Sequence, residues 1–130
     1  MALILPSLEH LSPEELKIEV LAKFFRGLGD PSRLRIVKLL LAGEQPVSAI
    51  VQHLHSQQGR VSSHLACLRW CGYVAARKHG RQVLYSISDP RVRRLLALAE
   101  AIVADNEGEL CSCLRIDAGP RRKLWKRTTS

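Results

Sequence analysis

The sequence has no long apolar run, no secretion signal and no catalytic signature. Although 46% of its residues are hydrophobic, no stretch approaches the roughly 18 consecutive apolar residues needed to cross a bilayer. The first six residues, MALILP, lack the basic region and cleavage pattern of a signal peptide. A glycine-rich phosphate loop, a metalloprotease helix motif and a nucleophile elbow are also missing. We therefore expect a cytoplasmic protein that is neither a membrane protein nor an enzyme.

Acidic residues are few compared with basic ones. The chain has 12 Asp and Glu against 20 Lys and Arg, which gives a formal net charge of +8. A surface with this excess of positive charge attracts polyanions such as nucleic acid. At 130 residues the chain is long enough for one domain with short tails, so a single fold is expected to carry the function.

Helical periodicity and start and stop signals predict a mostly helical chain. Ser12, followed by Pro13 and two acidic residues, marks the start of a first helix, which Gly27 and Gly29 should end. Asp30 and Pro31 restart a helix in the same way. The predicted helices cover about residues 13–26, 31–42, 47–54, 60–71 and 89–106.

Two β-prone runs, residues 73–78 and 82–88, flank a turn centred on Gly80 and predict a hairpin. With the short helix, polar turn and helix before them, they predict an α+β, mostly α, winged helix-turn-helix of five helices and a two-stranded wing. Residues 1–12 are assigned to an N-terminal arm, 13–106 to the DNA-binding and dimerisation domain, and 107–130 to a basic, cysteine-containing tail without periodicity. The apolar stripe of the last helix suits either a dimer surface or the core.

The fourth predicted helix has the composition of a recognition helix. Val61, Leu65 and Leu68 would anchor it to the core, which leaves polar residues for phosphates and base edges. A basic wing tip would follow the DNA backbone beside it. The candidate DNA-binding residues are Gln57, Gln58, Arg60, Ser62, Ser63 and His64 on and before the helix, and Arg77, Lys78, His79 and Arg81 on the wing.

Four cysteines form the candidate metal site. Cys67 and Cys71 are four residues apart, which places both thiols on one face of the recognition helix. Cys111 or Cys113, beyond the last long helix, could supply a third ligand from the same or the partner subunit. A reducing compartment favours thiols over disulfides. Thiolates without nearby carboxylates favour soft ions such as Hg(II), Cd(II), Pb(II) or As(III), and Zn(II) stays possible.

Three segments resemble the ArsR/SmtB family of metalloregulators: LGDPSRLRI at residues 28–36, SSHLACLRWCGYV at 62–74, and GRQVLY at 80–85. The similarity spans roughly residues 18–105. It implies a winged helix-turn-helix homodimer that represses a promoter until an inducer binds. The Cys-x3-Cys pair with a tail cysteine resembles the cadmium- and lead-sensing branch, and mercury sensing fits as well. The last long helix has no histidine and residues 47–54 have no cysteine, unlike the zinc and arsenic branches.

The sequence therefore predicts a repressor of operator DNA that is released by a soft metal ion. Two other hypotheses remain. The cysteines could form a redox switch on a DNA-binding protein, although a disulfide across one helical turn is poorly placed. Alternatively, the chain could carry metal ions through its Cys-x-Cys segment, with an incidental basic surface.

Overall fold

The computed structural model describes residues 9–118, so residues 1–8 of the predicted arm and the basic end of the predicted tail lie outside the described residues. The described chain divides into two compact units, the first ending at Pro90 and the second beginning at Arg91. The elements are α1 Pro13–Leu28, α2 Pro31–Leu41, β1 Gln45–Pro46, α3 Val47–Leu54, α4 Gln58–Trp70, β2 Val74–His79, β3 Gln82–Ile87, α5 Arg91–Asp105 and α6 Glu107–Ala118.

The predicted winged helix-turn-helix is confirmed, with two additional elements. Residues 9–118 contain six helices instead of five and three strands instead of two. The extra strand, β1, is only two residues long, and the extra helix, α6, occupies a segment in which no periodicity was expected. The prediction of an irregular segment directly after Asn106 is therefore wrong for Glu107–Ala118.

The first two helices begin where the capping signals predicted. The Ser12 hydroxyl accepts a hydrogen bond from the Glu15 N–H at 3.2 Å, and the Glu15 carboxylate accepts one from the Ser12 N–H at 2.7 Å, which completes a capping box. The Asp30 carboxylate likewise accepts a hydrogen bond from the Ser32 N–H at 2.8 Å at the start of α2. These local bonds fix the position at which each helix starts.

Gly27 does not end α1, as the sequence suggested, but lies inside its last turn. Its importance is steric. A Cβ at this position would lie 2.7 Å from Sγ of Cys71 and 3.2 Å from the ring of Tyr73. The missing side chain therefore lets the end of α4 and the residues after it pack directly against the end of α1.

Tyr73 fixes this junction between α1 and the residues after α4. Its side chain is fully buried, and its ring stacks on Phe24 with a centroid separation of 4.5 Å. Its hydroxyl donates a hydrogen bond to the Phe24 carbonyl at 2.8 Å. Burial, and to a lesser degree Cys71, raises the pKa of the phenol, so Tyr73 acts as a neutral donor.

The helix-turn-helix has a closely packed core. α3 ends at Leu54, His55 adopts a left-handed backbone with φ of 50°, and α4 begins at Gln58. The side chains that hold the two helices to α2 are apolar and fully shielded from solvent, and they include Ile36, Val37, Ile50, Val61, Leu65 and Leu68. Burying each such side chain stabilises the fold by roughly 1.5–3 kcal/mol before the loss of chain entropy is counted.

The wing belongs to a three-stranded antiparallel sheet with the order β1-β3-β2. Val74 pairs with Ile87 and His79 with Gln82, so a short turn at Gly80 and Arg81 connects the two long strands. Gly80 has φ of 63°, a conformation that glycine adopts without a steric penalty. β1 joins the outer edge of β3 through Gln45 and Pro46, which links the wing to the end of α2.

The second unit contains α5 and α6. Val92 and Leu96 of α5 are buried, whereas Ile102 and Val103, from the same predicted apolar stripe, are exposed. Within α6, the Ser112 hydroxyl donates a hydrogen bond to the Gly108 carbonyl one turn earlier, at 3.1 Å. Within residues 9–118, no helix is both long and apolar enough to cross a membrane.

The contact at Gly27 leads to a stability prediction. Gly27→Ala should lower the free energy of unfolding by about 1–3 kcal/mol, because the added methyl group collides with Cys71 and Tyr73. This loss should exceed the gain of up to about 1 kcal/mol that alanine brings inside a helix. Thermal and urea denaturation followed by circular dichroism would measure the change.

Gly29→Ala is the matched control, because a Cβ at Gly29 would have no neighbour closer than 3.4 Å and its φ is −77°. This control should be neutral or slightly stabilising. Adding Cys71→Ala to Gly27→Ala should restore part of the lost stability. Equal stability of the two alanine variants would contradict the proposed steric role.

Candidate DNA interface and thiol site

Helix α4 has three distinct faces. Val61, Leu65 and Leu68 form the buried face. A second, outward face contains Ser62, Ser63, Ala66, Arg69 and Trp70, all exposed. The third face follows the line of Arg60, His64, Cys67 and Cys71 at steps of three and four residues. One rigid element therefore presents both the polar groups predicted to read DNA and the predicted metal-binding thiols.

Most of the predicted DNA-binding residues of the helix are open to solvent. Arg60 is exposed in the first turn of α4, and the Ser63 hydroxyl donates to the Gly59 carbonyl at 3.1 Å. This bond leaves the oxygen of Ser63 available as an acceptor. The exposed members of the predicted set on and before α4 are Gln57, Gln58, Arg60, Ser62 and Ser63.

His64 differs from this set because it is half-buried and lies beside Arg33 of α2. Its Nδ1 is 3.4 Å from Nη1 of Arg33. The same guanidinium donates from Nε to the Gly27 carbonyl at 2.7 Å and from Nη2 to the Arg26 carbonyl at 3.2 Å. Arg33 therefore connects the carboxyl end of α1, where a cation is favoured by the helix dipole, to the middle of α4.

The wing presents the predicted basic residues, but one of them is already paired. Arg77 on β2 donates from Nε and Nη2 to the two carboxylate oxygens of Glu44 at 2.7 and 2.8 Å. This hydrogen bonding to Arg77 holds the pKa of Glu44 below its usual value. Lys78, His79 and Arg81 are exposed around the tip. The wing thus has exposed basic side chains at its tip and one further basic side chain, Arg77, that is oriented by the Glu44 carboxylate.

Cys67 and Cys71 lie side by side at the end of α4. Both are half-buried, and all four cysteines of the chain are thiols, not disulfides. The Cys71 thiol points to the end of α1, with Sγ 3.8 Å from the Lys23 carbonyl oxygen. Burial, followed by the neighbouring Cys67, raises the pKa of the Cys71 thiol, while Lys23 and Arg33 act in the opposite direction. Two adjacent thiols of this kind release protons when they bind a thiophilic cation.

The two remaining cysteines lie on α6, in the second unit. Cys111 is half-buried and Cys113 is exposed. Across residues 9–118, no three histidine, cysteine, aspartate or glutamate side chains converge as a ready metal site. The described part of the chain therefore brings together two predicted ligands, Cys67 and Cys71. The donor chemistry of this pair suits a soft metal ion better than a hard one.

Three residues that take part in this region were not predicted from the sequence. Arg33 and Glu44 make contacts with residues more than 30 positions away, which no local pattern reveals. Trp70 has an exposed fraction of 83%, which is unusual for such a large aromatic side chain. It lies within the segment at residues 62–74 that carries the family resemblance, and no periodicity in the sequence marks its exposure.

Known proteins with similar sequences show the family to which this chain belongs. Residues 30–76 match the family model described as "Bacterial regulatory protein, arsR family". A probable mercury resistance operon repressor of Streptomyces lividans is 47% identical over 95 residues, which cover 73% of this chain and 76% of that protein.

Two solved structures are also similar. The homodimeric winged helix-turn-helix DNA-binding domain Mb0332 of Mycobacterium bovis has a TM-score of 0.66 and 31% identity, with 75% of this chain and 89% of that chain covered. The cadmium metal-sensor CMTR of Mycobacterium tuberculosis has a TM-score of 0.51 and 42% identity, with 58% and 79% covered. The chain therefore belongs to the ArsR family of bacterial regulatory proteins, which are transcriptional regulators and not enzymes.

Proposed function

We propose that this protein is a repressor that binds operator DNA as a homodimer and is released when cysteine thiolates bind a soft metal ion, Hg(II), Cd(II) or Pb(II). The observation that carries the proposal is the position of Cys67 and its neighbour Cys71, the C-cap, at the end of the helix that also presents the exposed polar residues Arg60, Ser62 and Ser63. The names of the mercury resistance repressor and the cadmium sensor support the choice of soft ions.

The charge distribution of the first unit supports DNA binding. Helix α4 contains basic and neutral polar side chains but no acidic one. The wing adds Lys78, His79 and Arg81 at an exposed tip. In the proposed complex, α4 enters the major groove with its first turns, and the wing follows the phosphates beside it. Contacts from the serines and glutamines read base edges, whereas the arginines mainly supply salt-dependent affinity.

An uncovered apolar face on α1 supports the homodimer. Leu16, Val20 and Leu21 are 40%, 61% and 52% exposed. With Pro13, Lys17 and Phe24 they line an open groove of about 830 Å³. A patch of this kind marks an interaction site, and a second copy of the chain is the simplest partner in a family with a homodimeric relative. A dimer would present two copies of α4 to a palindromic operator.

The metal site requires a ligand from outside α4. Cys67 and Cys71 supply two thiolates, and we assign the third to Cys111 or Cys113 of the same or the partner subunit. These thiolates would hold a soft ion, which would link α4 to the segment that carries the third ligand. A disulfide between Cys67 and Cys71 is less well supported, because two cysteines one helical turn apart are poorly placed for that bond.

The contacts of α4 explain how a change at the thiols reaches the DNA surface. Cys71 packs at Gly27, and Arg33 joins the carbonyls of that same turn to His64. A shift of Cys71 therefore changes the contacts that hold α4 in position. Because α4 is a single rigid helix, Arg60 and Ser63 move with the thiols. Loss of the DNA-competent orientation corresponds to a coupling free energy on the order of 1–3 kcal/mol.

The double variant Cys67→Ser and Cys71→Ser tests the metal site. It should bind a duplex from the DNA upstream of its own coding sequence as tightly as the unaltered protein, because neither thiol faces outward. It should not be released by Hg(II), Cd(II) or Pb(II), which should displace the unaltered protein. Fluorescence anisotropy of the labelled duplex under reducing conditions measures both properties.

Titration with Mg(II) at the same ionic strength is the control, since a hard cation has little affinity for thiolates. Single variants Cys111→Ser and Cys113→Ser then identify the third ligand, because only one of them should lose the metal response. Normal metal-induced release of the double variant would place the sensing site elsewhere. If the unaltered protein does not bind this duplex, the alternative hypothesis of a protein that carries metal ions would be favoured instead.

The pairing of Arg77 with Glu44 gives a second prediction for DNA binding. Glu44→Gln should free the Arg77 guanidinium from its carboxylate and let it neutralise a phosphate. The slope of log K against log salt concentration should then become steeper by about 0.9. Binding to a labelled duplex at several salt concentrations measures this slope.

Glu109→Gln is the control for the change in net charge, since Glu109 is exposed on α6, far along the chain from the wing. It should raise affinity only slightly and leave the slope nearly unchanged. If both variants shift the slope equally, the effect is one of overall charge, and Glu44 does not restrain Arg77.

A further inference from the structure

The exposed indole of Trp70 is the most unusual surface feature of α4. Its side chain is 83% exposed, although tryptophan is largely buried in most folded proteins. Together with Ala66 and Arg69, it lines a shallow cavity of about 410 Å³. Trp70 lies neither on the buried face of α4 nor on the face that contains Cys67 and Cys71. An exposed aromatic side chain of this size indicates a surface that contacts a partner.

Trp70 lies on the outward face of α4, in line with a serine predicted to contact DNA. Ser62, Ala66 and Trp70 follow one another at four-residue steps and therefore lie in one row. At 1.5 Å per residue, Trp70 lies about 12 Å along the helix axis from Ser62. The major groove of B-DNA is about 8.5 Å deep, so when the first turns of α4 enter it, a residue about 12 Å further along the axis lies outside the groove, at the level of the phosphates.

We propose that Arg69 and Trp70 form a second DNA contact. They bind the sugar-phosphate backbone at the edge of the major groove, while the first turns of α4 lie in the groove itself. This inference rests on the DNA binding proposed above and adds two positioning residues to it. Arg69 supplies a cation for a phosphate, and the indole N–H of Trp70 is a donor without acceptor capacity, which matches a phosphate oxygen. The ring itself offers an apolar surface to a deoxyribose.

The surroundings of Trp70 favour DNA over a second copy of the protein. Of the two residues that line the cavity with it, Arg69 is charged and Ala66 is small, so the indole is not part of a large apolar patch. The apolar groove of the first unit lies instead on α1, around Leu16 and Val20. Helix α4 also has no acidic residue that would repel phosphates.

The sequence contains only two tryptophans, which makes the proposal directly measurable. In the full-length Trp125→Phe variant, Trp70 is the sole indole, and its fluorescence reports its own environment. Acrylamide quenching is measured with and without the duplex from the upstream DNA, under metal-free reducing conditions. Anisotropy of the labelled duplex is recorded on the same samples. We expect the quenching constant to fall about threefold, with the same midpoint as the anisotropy change, because a backbone contact shields the ring.

Each other outcome of this experiment has a defined meaning. If the duplex binds and the quenching constant stays constant, Trp70 does not contact DNA, and the inference fails while the proposed function stands. If the duplex does not bind at all, the proposed function fails and this inference fails with it. If Trp70 becomes protected as the protein concentration rises without DNA, the surface is an interface between copies, which also overturns the inference.

Substitutions provide an independent test with different signatures for the two residues. Arg69→Gln should reduce the slope of log K against log salt concentration by about 0.9, because one phosphate contact is lost. Trp70→Ala should weaken binding about five- to tenfold on operator and unrelated duplexes alike, without changing that slope, because a backbone contact made by a neutral group carries neither sequence nor counterion dependence. Ile18→Ala removes another exposed apolar side chain, which is 64% exposed on α1 and does not line the groove there, and it should leave DNA binding unchanged.

Discussion

The close packing of the end of α4 against the end of α1 is the constraint on which the other features depend. Gly27 has no side chain, so Cys71 and Tyr73 can approach the α1 backbone, and Tyr73 locks this approach through its ring and its hydroxyl. Arg33 then binds the carbonyls of the same turn and reaches His64. The position of the recognition helix is thus set by the same few contacts that surround the Cys71 thiol.

In the proposed function, α4 and its C-cap Cys71 serve three purposes, because the three faces of the helix are chemically different. Leu65 and Leu68 provide the burial that holds it, while Cys67 and Cys71 share a face with His64. The outward face is left for nucleic acid. This arrangement makes a long communication pathway unnecessary, because the thiols and the DNA-facing groups are parts of one rigid element.

Local sequence signals were sufficient for the parts of the fold that depend on local interactions. The capping box at Ser12 and the cap at Asp30 fixed the helix starts, and the turn around Gly80 located the wing. β1 could not be predicted from the sequence, because a two-residue strand has no periodicity and forms only through its pairing with β3. α6 was missed because GELCSCL spaces small and polar residues among its apolar ones and gives no clear stripe.

The candidate site was predictable only in its composition. The cysteine spacing on a helix placed Cys67 and Cys71 on one face, as a helical repeat requires. The partners that orient the site come from elsewhere in the chain: Gly27 opposite Cys71, Arg33 beside His64, and Glu44 on Arg77. Such pairs form because the tertiary fold brings distant segments together, and a single sequence contains no periodic trace of them.

The position of the two thiols also limits how the proposed switch can work. A ligand shifts a conformational equilibrium only by the difference between its affinities for the two states. Cys67 lies in the last turns of α4 and Cys71 is its C-cap, so the distance between the two thiols changes little when α4 moves as a unit. A site made of these two thiolates alone could favour one state only through the contacts that Cys71 makes at the end of α1, with Gly27 and the Lys23 carbonyl. A thiol outside α4, Cys111 or Cys113, would add a group whose distance to α4 differs between the two states, which is why the proposal includes a third ligand.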